Sequence, residues 1–376
     1  MYKTAFLYAY GSSLLFNVKN LLGFFCFRII ELLNLIFVEF ILSAWGKGNK
    51  LFLELTPDRI LSELERNGFQ CTGRLLQLNS MENRVYQVEL DLGDQTKNFS
   101  KYDFFRVVKF YRPGRWTKDQ IEDEHQFIRD LKESDLPVVS PLLLENGETI
   151  GKVKGSDIYY CIYPRVGGRI VDELSDEQVQ MVGRYLARFH ICSEKRKSNH
   201  RIKLDTLSYG LSHLKFLLDS KTIPFDLESR YKCAVEAICK KSESWFEGSS
   251  SQRIHGDCHL GNILWTDQGP FWVDFDDMLV GPPIQDLWLL FPGRDEYSKQ
   301  KINLMLNSYK SIRNFDESTL KLIEPLRALR YIHFSAWIKK RYDDASFQRA
   351  FPDFNSWTYW QNQVNDLEYQ NSIIQN

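Results

Sequence analysis

Ile254-His255-Gly256-Asp257-Cys258-His259-Leu260-Gly261-Asn262-Ile263-Leu264-Trp265, followed after a short turn by Phe271-Trp272-Val273-Asp274-Phe275-Asp276-Asp277, is the densest polar chemistry in the chain. Each block contains a short apolar run that reads as a strand and presents Asp or Asn at its end. Mg²⁺ takes hard oxygen ligands and keeps several waters, so one or two carboxylates or amides plus nucleotide phosphates usually hold it. Asn262 and Asp274 suit that task. Asp257, separated from them by a glycine-containing loop, can accept a hydroxyl proton or hold an attacking oxygen in line with a γ-phosphate. Helix caps and turn formers are the plainer reading of the same residue types, but the ordered combination favours chemistry.

The upstream sequence supplies an independent context. Thr56-Pro57-Asp58 marks a helix start, with Ile60, Leu61 and Leu64 on one face and Gly68 as its stop. Two β-like runs, 74–78 and 84–90, flank the polar turn Asn79-Ser80-Met81-Glu82-Asn83 and read as a hairpin. A third strand, 104–111, carries Lys109 and ends at Arg112-Pro113-Gly114. A helix is expected from about Thr117 to just before Leu136-Pro137, and further short strands around Val138, at 142–144 and at 158–162. This is a small β-rich lobe with one inserted helix. Tyr163-Pro164-Arg165-Val166-Gly167-Gly168 reads as a linker, because Pro and Gly interrupt both periodicities. Beyond it helices fit 175–189, 211–218, 227–239, 301–309 and 323–340, interrupted only at 251–280. The expected division is an apolar extension at 1–47, a nucleotide-binding lobe at 48–163, and a mainly helical lobe at 164–376 carrying the catalytic loop and substrate site.

Bulk properties agree with two lobes and exclude several functions. A chain of 376 residues exceeds what one hydrophobic core usually supports. Lys+Arg 48 against Asp+Glu 49 leaves no global positive field for a nucleic-acid backbone, so no nucleic-acid partner is expected. The seven cysteines form no CxxC pair and no zinc-like cluster, and read as reduced thiols of a cytoplasmic protein. The apolar stretch from Leu14 to Trp45 has the length of a membrane span, but Lys19, Arg28, Glu31 and Glu39 interrupt it. Charged residues cost about 2.5 to 3.5 kcal/mol each at the centre of an inserted helix, which offsets much of the apolar gain. It reads as a membrane-surface helix, a packing appendage or sequence upstream of the true start. The break at Gly46-Lys47-Gly48-Asn49-Lys50 favours the last, and the chain from Lys47 onward is expected to fold and act alone.

His-x-Asp, four residues and Asn resembles the catalytic loop of protein-kinase-like and aminoglycoside-phosphotransferase-like enzymes, with Val273-Asp274-Phe275-Asp276 in the place of the kinase metal-binding motif. The fold this implies is α+β: a bilobal protein-kinase-like fold. Lys109 resembles the strand lysine that contacts nucleotide phosphates, and Glu124 on the next helix its ion-pair partner, with Glu122 as competitor. The glycine-rich loop of protein kinases is missing; the 79–83 turn stands there, and Ser80 is either a phosphate donor or a plain turn residue. Asp286 resembles the aspartate that bonds catalytic-loop backbone, or is a helix cap. Cys258 reads as an inert thiol rather than a redox sensor. Trp337, Tyr342, Trp357 and Trp360 with Asp343 and Asp344 can form a cage for a cationic substrate, or are ordinary core and surface.

Several blocks narrow the resemblance to the stress response kinase A family of bacterial serine/threonine kinases: 78–87, 107–113, 124–127, 166–169, 255–259 and 283–288. It covers the chain from about Leu53 and leaves 14–45 outside. The resemblance implies Asp257 as proton acceptor, Asn262 and Asp274 as Mg²⁺ ligands with Asp274 also essential to catalysis, and Ser80 as an ATP contact. It further implies a cytoplasmic monomer that uses ATP and Mg²⁺ to phosphorylate Ser and Thr of proteins under stress. The competing reading is a small-molecule phosphotransferase for an amino alcohol such as homoserine or choline, or for an aminoglycoside. Membrane contact is expected only through the N-terminal segment.

Overall fold

The computed structural model describes residues 50–52, 54–93 and 100–375; the apolar N-terminal segment, and with it every reading of that segment, lies outside the described residues. Among the described residues no helix is long and apolar enough to cross a membrane.

The first lobe is an antiparallel sheet of β1 (Cys71–Leu78), β2 (Arg84–Leu90), β3 (Phe105–Phe110), β4 (Gly151–Lys152) and β5 (Tyr159–Pro164), in spatial order β1-β2-β3-β5-β4. Helix α1 (Pro57–Glu65) starts where Thr56 accepts a hydrogen bond from the Arg59 amide at 3.4 Å and Pro57 fills the first helical position. Its Ile60 and Leu64 pack with Val88, Val108, Phe110 and Ile162 into the lobe's core. Alternation in β3 sets the direction of Lys109: Val108 and Phe110 point into that core, so Lys109 points to the opposite face. Its register opposite Val85 and Cys161 fixes Lys109 in the middle of the sheet.

Helix α2 (Lys118–Glu133) covers that face. A capping box between Thr117 and Gln120 starts it. Ile121 packs under the sheet, whereas Phe127, Ile128 and Leu131 belong to the core of the second lobe. Burying those three side chains is worth roughly 5 to 9 kcal/mol, so α2 is anchored in both lobes.

The second lobe is built on α3 (Asp176–Glu194), α4 (Ser212–Asp219), α5 (Phe225–Glu247), α6 (Ile284–Trp288), α7 (Glu296–Lys310), α8 (Ile323–Lys339), α9 (Ala345–Ala350) and α10 (Trp357–Gln375), with a π-helical segment, Thr206–Leu211, leading into α4. Two small ribbons interrupt the helices: β6 (Gln252–Ile254) with β9 (Leu279–Gly281), and β7 (Ile263–Thr266) with β8 (Gly269–Trp272).

Three strand expectations change. β1 begins at Cys71, with an irregularity in its pairing before Leu75 where Gly73 adopts a φ of 89°. The 142–144 run is not a strand: Leu142 donates to the Ile162 carbonyl at 2.7 Å, but Pro141 before it and the turn closed by Gly147 after it end the pairing. Val138 instead bridges to Trp272, linking the end of α2 to the β7–β8 ribbon.

Candidate active site

The catalytic loop leaves β6 at His255. Its backbone is held by the buried Asp286 carboxylate, which accepts from the His255 amide at 2.8 Å and the Gly256 amide at 2.9 Å. Asp286 therefore bonds the loop and does not cap its own helix. Gly256 has a φ of 85°, and a Cβ there would lie 2.1 Å from the Asp277 carbonyl oxygen, so only glycine lets the two loops approach this closely. The His255 Nε2 donates to the Val273 carbonyl at 3.0 Å, and its ring lies 4.4 Å from that of Phe275.

Asp257 stands on this loop with both carboxylate oxygens engaged, Oδ1 by Arg330 at 2.9 Å and Oδ2 by His259 Nε2 at 3.3 Å. Burial alone would raise its pKa, but Arg330 and His259 outweigh it and hold the carboxyl well below the usual range. Asn262 donates through Nδ2 to the Asp257 carbonyl at 2.9 Å. That bond ties the loop together and leaves the Asn262 side-chain oxygen as the available ligand. Pairing of Ile263 with Trp272, extended by the Val273 amide donating to the Asn262 carbonyl at 3.0 Å, brings Asn262 and Asp274 out at the same end of the ribbon. Asp274 turns there with φ 61° and ψ 62°, a left-handed conformation that Asp and Asn tolerate best among residues with a side chain. Its carboxylate is 50% exposed and touches Lys109 at 3.5 Å. One amide oxygen and one half-exposed carboxylate on neighbouring strand ends fit a hard divalent cation completed by water and phosphate.

Lys109 reaches this place from β3. Its Nζ lies 3.0 Å from Asp276, 3.5 Å from Asp274 and 3.6 Å from Glu124. Burial would favour the neutral amine, but the three carboxylates outweigh it and hold the ammonium well above its usual pKa. Glu124 is fully buried and also receives Arg201 at 2.8 Å, while Glu122 pairs with Lys118 at the surface. Phe275 packs edge-on against Phe127 of α2, connecting the Asp274 turn to the helix that carries Glu124.

The 79–83 turn is tied to the second lobe. Asn83 donates to Asp276 at 3.2 Å and accepts from the Arg112 amide at 3.0 Å. Glu82 accepts from Trp337 Nε1 at 2.7 Å and from Arg341 at 2.6 Å, and pairs with Arg112 at 3.2 Å. Ser80 Oγ accepts from the Asn83 amide at 3.2 Å, an ordinary turn bond that leaves the hydroxyl proton available.

Asp276 was not among the site residues expected from the sequence, yet its carboxylate gathers Lys109, Arg115 and Asn83. Arg115 also reaches Asp277, and the Asp276 carbonyl accepts from Arg201 at 2.8 Å. Burial would raise its pKa; Arg115, Lys109 and Arg201 outweigh it and hold the carboxyl far below the ordinary range. The signal was present in the run Asp274-Phe275-Asp276-Asp277, whose second acid is spaced to return to the site. Arg330 and Arg201 had no local signal.

The aromatic cage does not assemble. Trp360 is buried against Tyr231 and Phe354, Trp357 bonds Asp226 at 2.9 Å, Trp337 packs on Phe334 and Phe347, and Asp344 pairs with Arg112. These contacts are core packing and interlobe pairing. Cys258 is buried, and burial pushes its thiol well above the usual range, so it carries no reactive thiolate.

A family model described as "Phosphotransferase enzyme family" matches residues 75–314. Stress response kinase A of Escherichia coli (strain K12) is 37% identical over 325 residues, covering 86% of this chain and 95% of that protein. This chain belongs to that family. "Serine/threonine protein kinase RdoA" of Salmonella typhimurium is 36% identical over 324 residues, covering 86% of the chain and 94% of that protein. Among known structures, an amicoumacin kinase in complex with AMP-PNP, Ca²⁺ and Ami superposes with a TM-score of 0.63 at 18% identity, covering 82% of this chain and 94% of that one. The likeness at that identity is one of fold. The kinase is a phosphotransferase with a bilobal protein-kinase-like fold, a small β-rich lobe and a larger helical one.

Proposed function

We propose that the kinase transfers the γ-phosphate of ATP, with Mg²⁺, to serine and threonine hydroxyls of proteins in a bacterial stress response, acting as a cytoplasmic monomer. The observation that carries the phosphotransfer chemistry is the meeting of Lys109, Asp274 and Glu124 beside a loop that holds Asp257 and Asn262. Protein acceptors are favoured by the relatives named as stress response and serine/threonine kinases. Asn262 with Asp274 would hold Mg²⁺, which would supply charge neutralisation at the nucleotide phosphates. Lys109, kept protonated by Glu124 and its neighbours, faces the α- and β-phosphates. Ser80 and the backbone amides of its turn close over them. Asp257 orients the acceptor hydroxyl and takes its proton as the hydroxyl oxygen bonds to the γ-phosphorus and the bond from that phosphorus to the bridging oxygen breaks, releasing ADP. With a loose transition state, positioning and charge neutralisation supply most of the acceleration, and this set of groups offers both.

The reading is tested by supplying radiolabelled ATP to the full chain with a generic protein acceptor and, separately, with a panel of amino alcohols and aminoglycosides. Label on protein serine and threonine is expected; label only on small alcohols refutes it.

A further inference from the structure

One face of α8 and its C-terminal exit runs past the catalytic loop toward the 79–83 turn. Arg330, His333, Trp337 and Arg341 recur on it at helical spacing, and Tyr209 and His213 from the π-helical segment and α4 complete the wall. The Tyr209 ring stacks on His333 at 4.5 Å with the planes 20° apart, and His213 meets His333 edge-on at 4.9 Å. All six side chains are partly exposed, with Tyr209 and Trp337 packed against the core on their inner side. A π-helical turn inside a helical segment often marks a functional site.

Each cation on this wall has a carboxylate partner. Arg330 and Arg341 lie on the wall, and Arg115 adjoins it. Asp257 faces Arg330, Glu82 faces Arg341, and Asp276 and Asp277 face Arg115. Arg330 is the most exposed of the three, 31% against 11% for Arg341 and 9% for Arg115, so it is the cation that an incoming group meets.

Arg330 also poses a problem for catalysis. With Arg330 2.9 Å from Asp257 Oδ1 and His259 Nε2 3.3 Å from Oδ2, an incoming hydroxyl meets a base whose charge is shared with two other groups. Arg330 is one-third exposed and ends in a five-donor fork, so it can turn to a second anion without unfolding anything around it. An acceptor that carries a carboxylate or phosphate beside its hydroxyl offers that anion.

We propose that Arg330 is the specificity-determining residue of the acceptor site: it selects hydroxyls with an anionic neighbour, such as serine or threonine flanked by acidic residues, and on pairing with that anion releases Asp257 to the hydroxyl. The identification of the flanking group with a peptide side chain rests on the protein-kinase reading; the charge preference does not. The wall's aromatic and imidazole rings then carry the apolar part of the acceptor.

The test uses the full chain and four probes: serine/threonine peptides of equal length flanked by Asp/Glu or by Lys/Arg, glycerate as an anionic small alcohol, and choline as a cationic one. Acidic peptides are expected to exceed basic ones in kcat/KM by about tenfold or more, since like-charge juxtaposition costs several kcal/mol. Arg330→Gln should erase the preference and Arg330→Glu invert it, with the thermal shift on adding Mg-ATP confirming that each variant folds. Phosphorylation of glycerate but of no peptide would retain the charge rule while removing the protein-kinase reading. Preference for basic peptides would overturn the charge rule and leave that reading standing. Transfer to choline alone would remove both. Acidic probes that fail to outpace their cationic counterparts, or an Arg330→Glu enzyme with unchanged preference, overturn the proposal.

Discussion

Replacing Asp276 by Asn separates an ionic hub from a metal ligand. Asp276 is 3% exposed and lies between Lys109 at 3.0 Å, Arg115 and Asn83 at 3.2 Å, so the change leaves two buried cations short of a countercharge. Removing one partner of a buried pair costs about 3 to 5 kcal/mol. The lower end applies, because Glu124 at 3.6 Å and Asp274 at 3.5 Å still face Lys109, and Asp277 still faces Arg115. About 3 kcal/mol on a chain of this size lowers the melting temperature by roughly 5 °C. Calorimetry of the two proteins without nucleotide measures that, and a Mg²⁺ titration of kcat separates the two roles. The expected outcome is a destabilised enzyme whose lost activity extra Mg²⁺ does not restore. A variant at least as stable as the parent, with activity recovered at high Mg²⁺, would refute the hub and make Asp276 a ligand.

Two further outcomes are expected. Asp257→Asn should lower kcat by about 10²-fold or more while leaving the KM for ATP near its original value, whereas Asp274→Asn should also raise the Mg²⁺ concentration needed for half-maximal rate; equal losses of nucleotide affinity in both would contradict the assignment. His125 is buried with Tyr111 at 3.0 Å and Thr149 at 2.7 Å, and burial, with Lys109 and Arg129 adding to it, pushes its pKa down to about 3. Its folded pKa lies below the unfolded one, so its contribution to stability is complete above about pH 6.5 and is lost as pH falls toward the folded value. Between pH 7 and 5 this amounts to roughly 2 kcal/mol, which urea unfolding should show as the difference in pH slope between the parent and His125→Gln; identical slopes would count against it.

What the sequence disclosed was local. The strand of Lys109 is rich in β-branched and aromatic residues, and the spacing from Asp257 to Asn262 lies within one loop, so both can be read without the fold. Glu124 could have been separated from Glu122 by the same logic, since Ile121, Glu124 and Ile128 share one helical face and Glu122 falls off it. The 142–144 run misled because it is apolar without alternating, and α10 went unnoticed because its polar Gln and Asn residues dilute the periodic signal. The pairs Arg115–Asp276, Arg201–Glu124 and Arg330–Asp257 join residues far apart in the chain, and a charged side chain has no period that announces its partner. Long-range electrostatics had to be seen in three dimensions.

The left-handed turn at Asp274 restricts that position before any chemistry does. Ordinary side chains cost about 1 to 2 kcal/mol there, and Gly, Asn and Asp are the residues that settle easily. Of these only Asp brings a carboxylate, so fold and reaction choose the same residue for unrelated reasons. An alanine at 274 would confound backbone strain with a lost ligand, whereas asparagine keeps the turn and removes only the charge. By the same filter, a chain of this fold that lost the carboxylate at 274 would keep its shape most easily with Asn or Gly there.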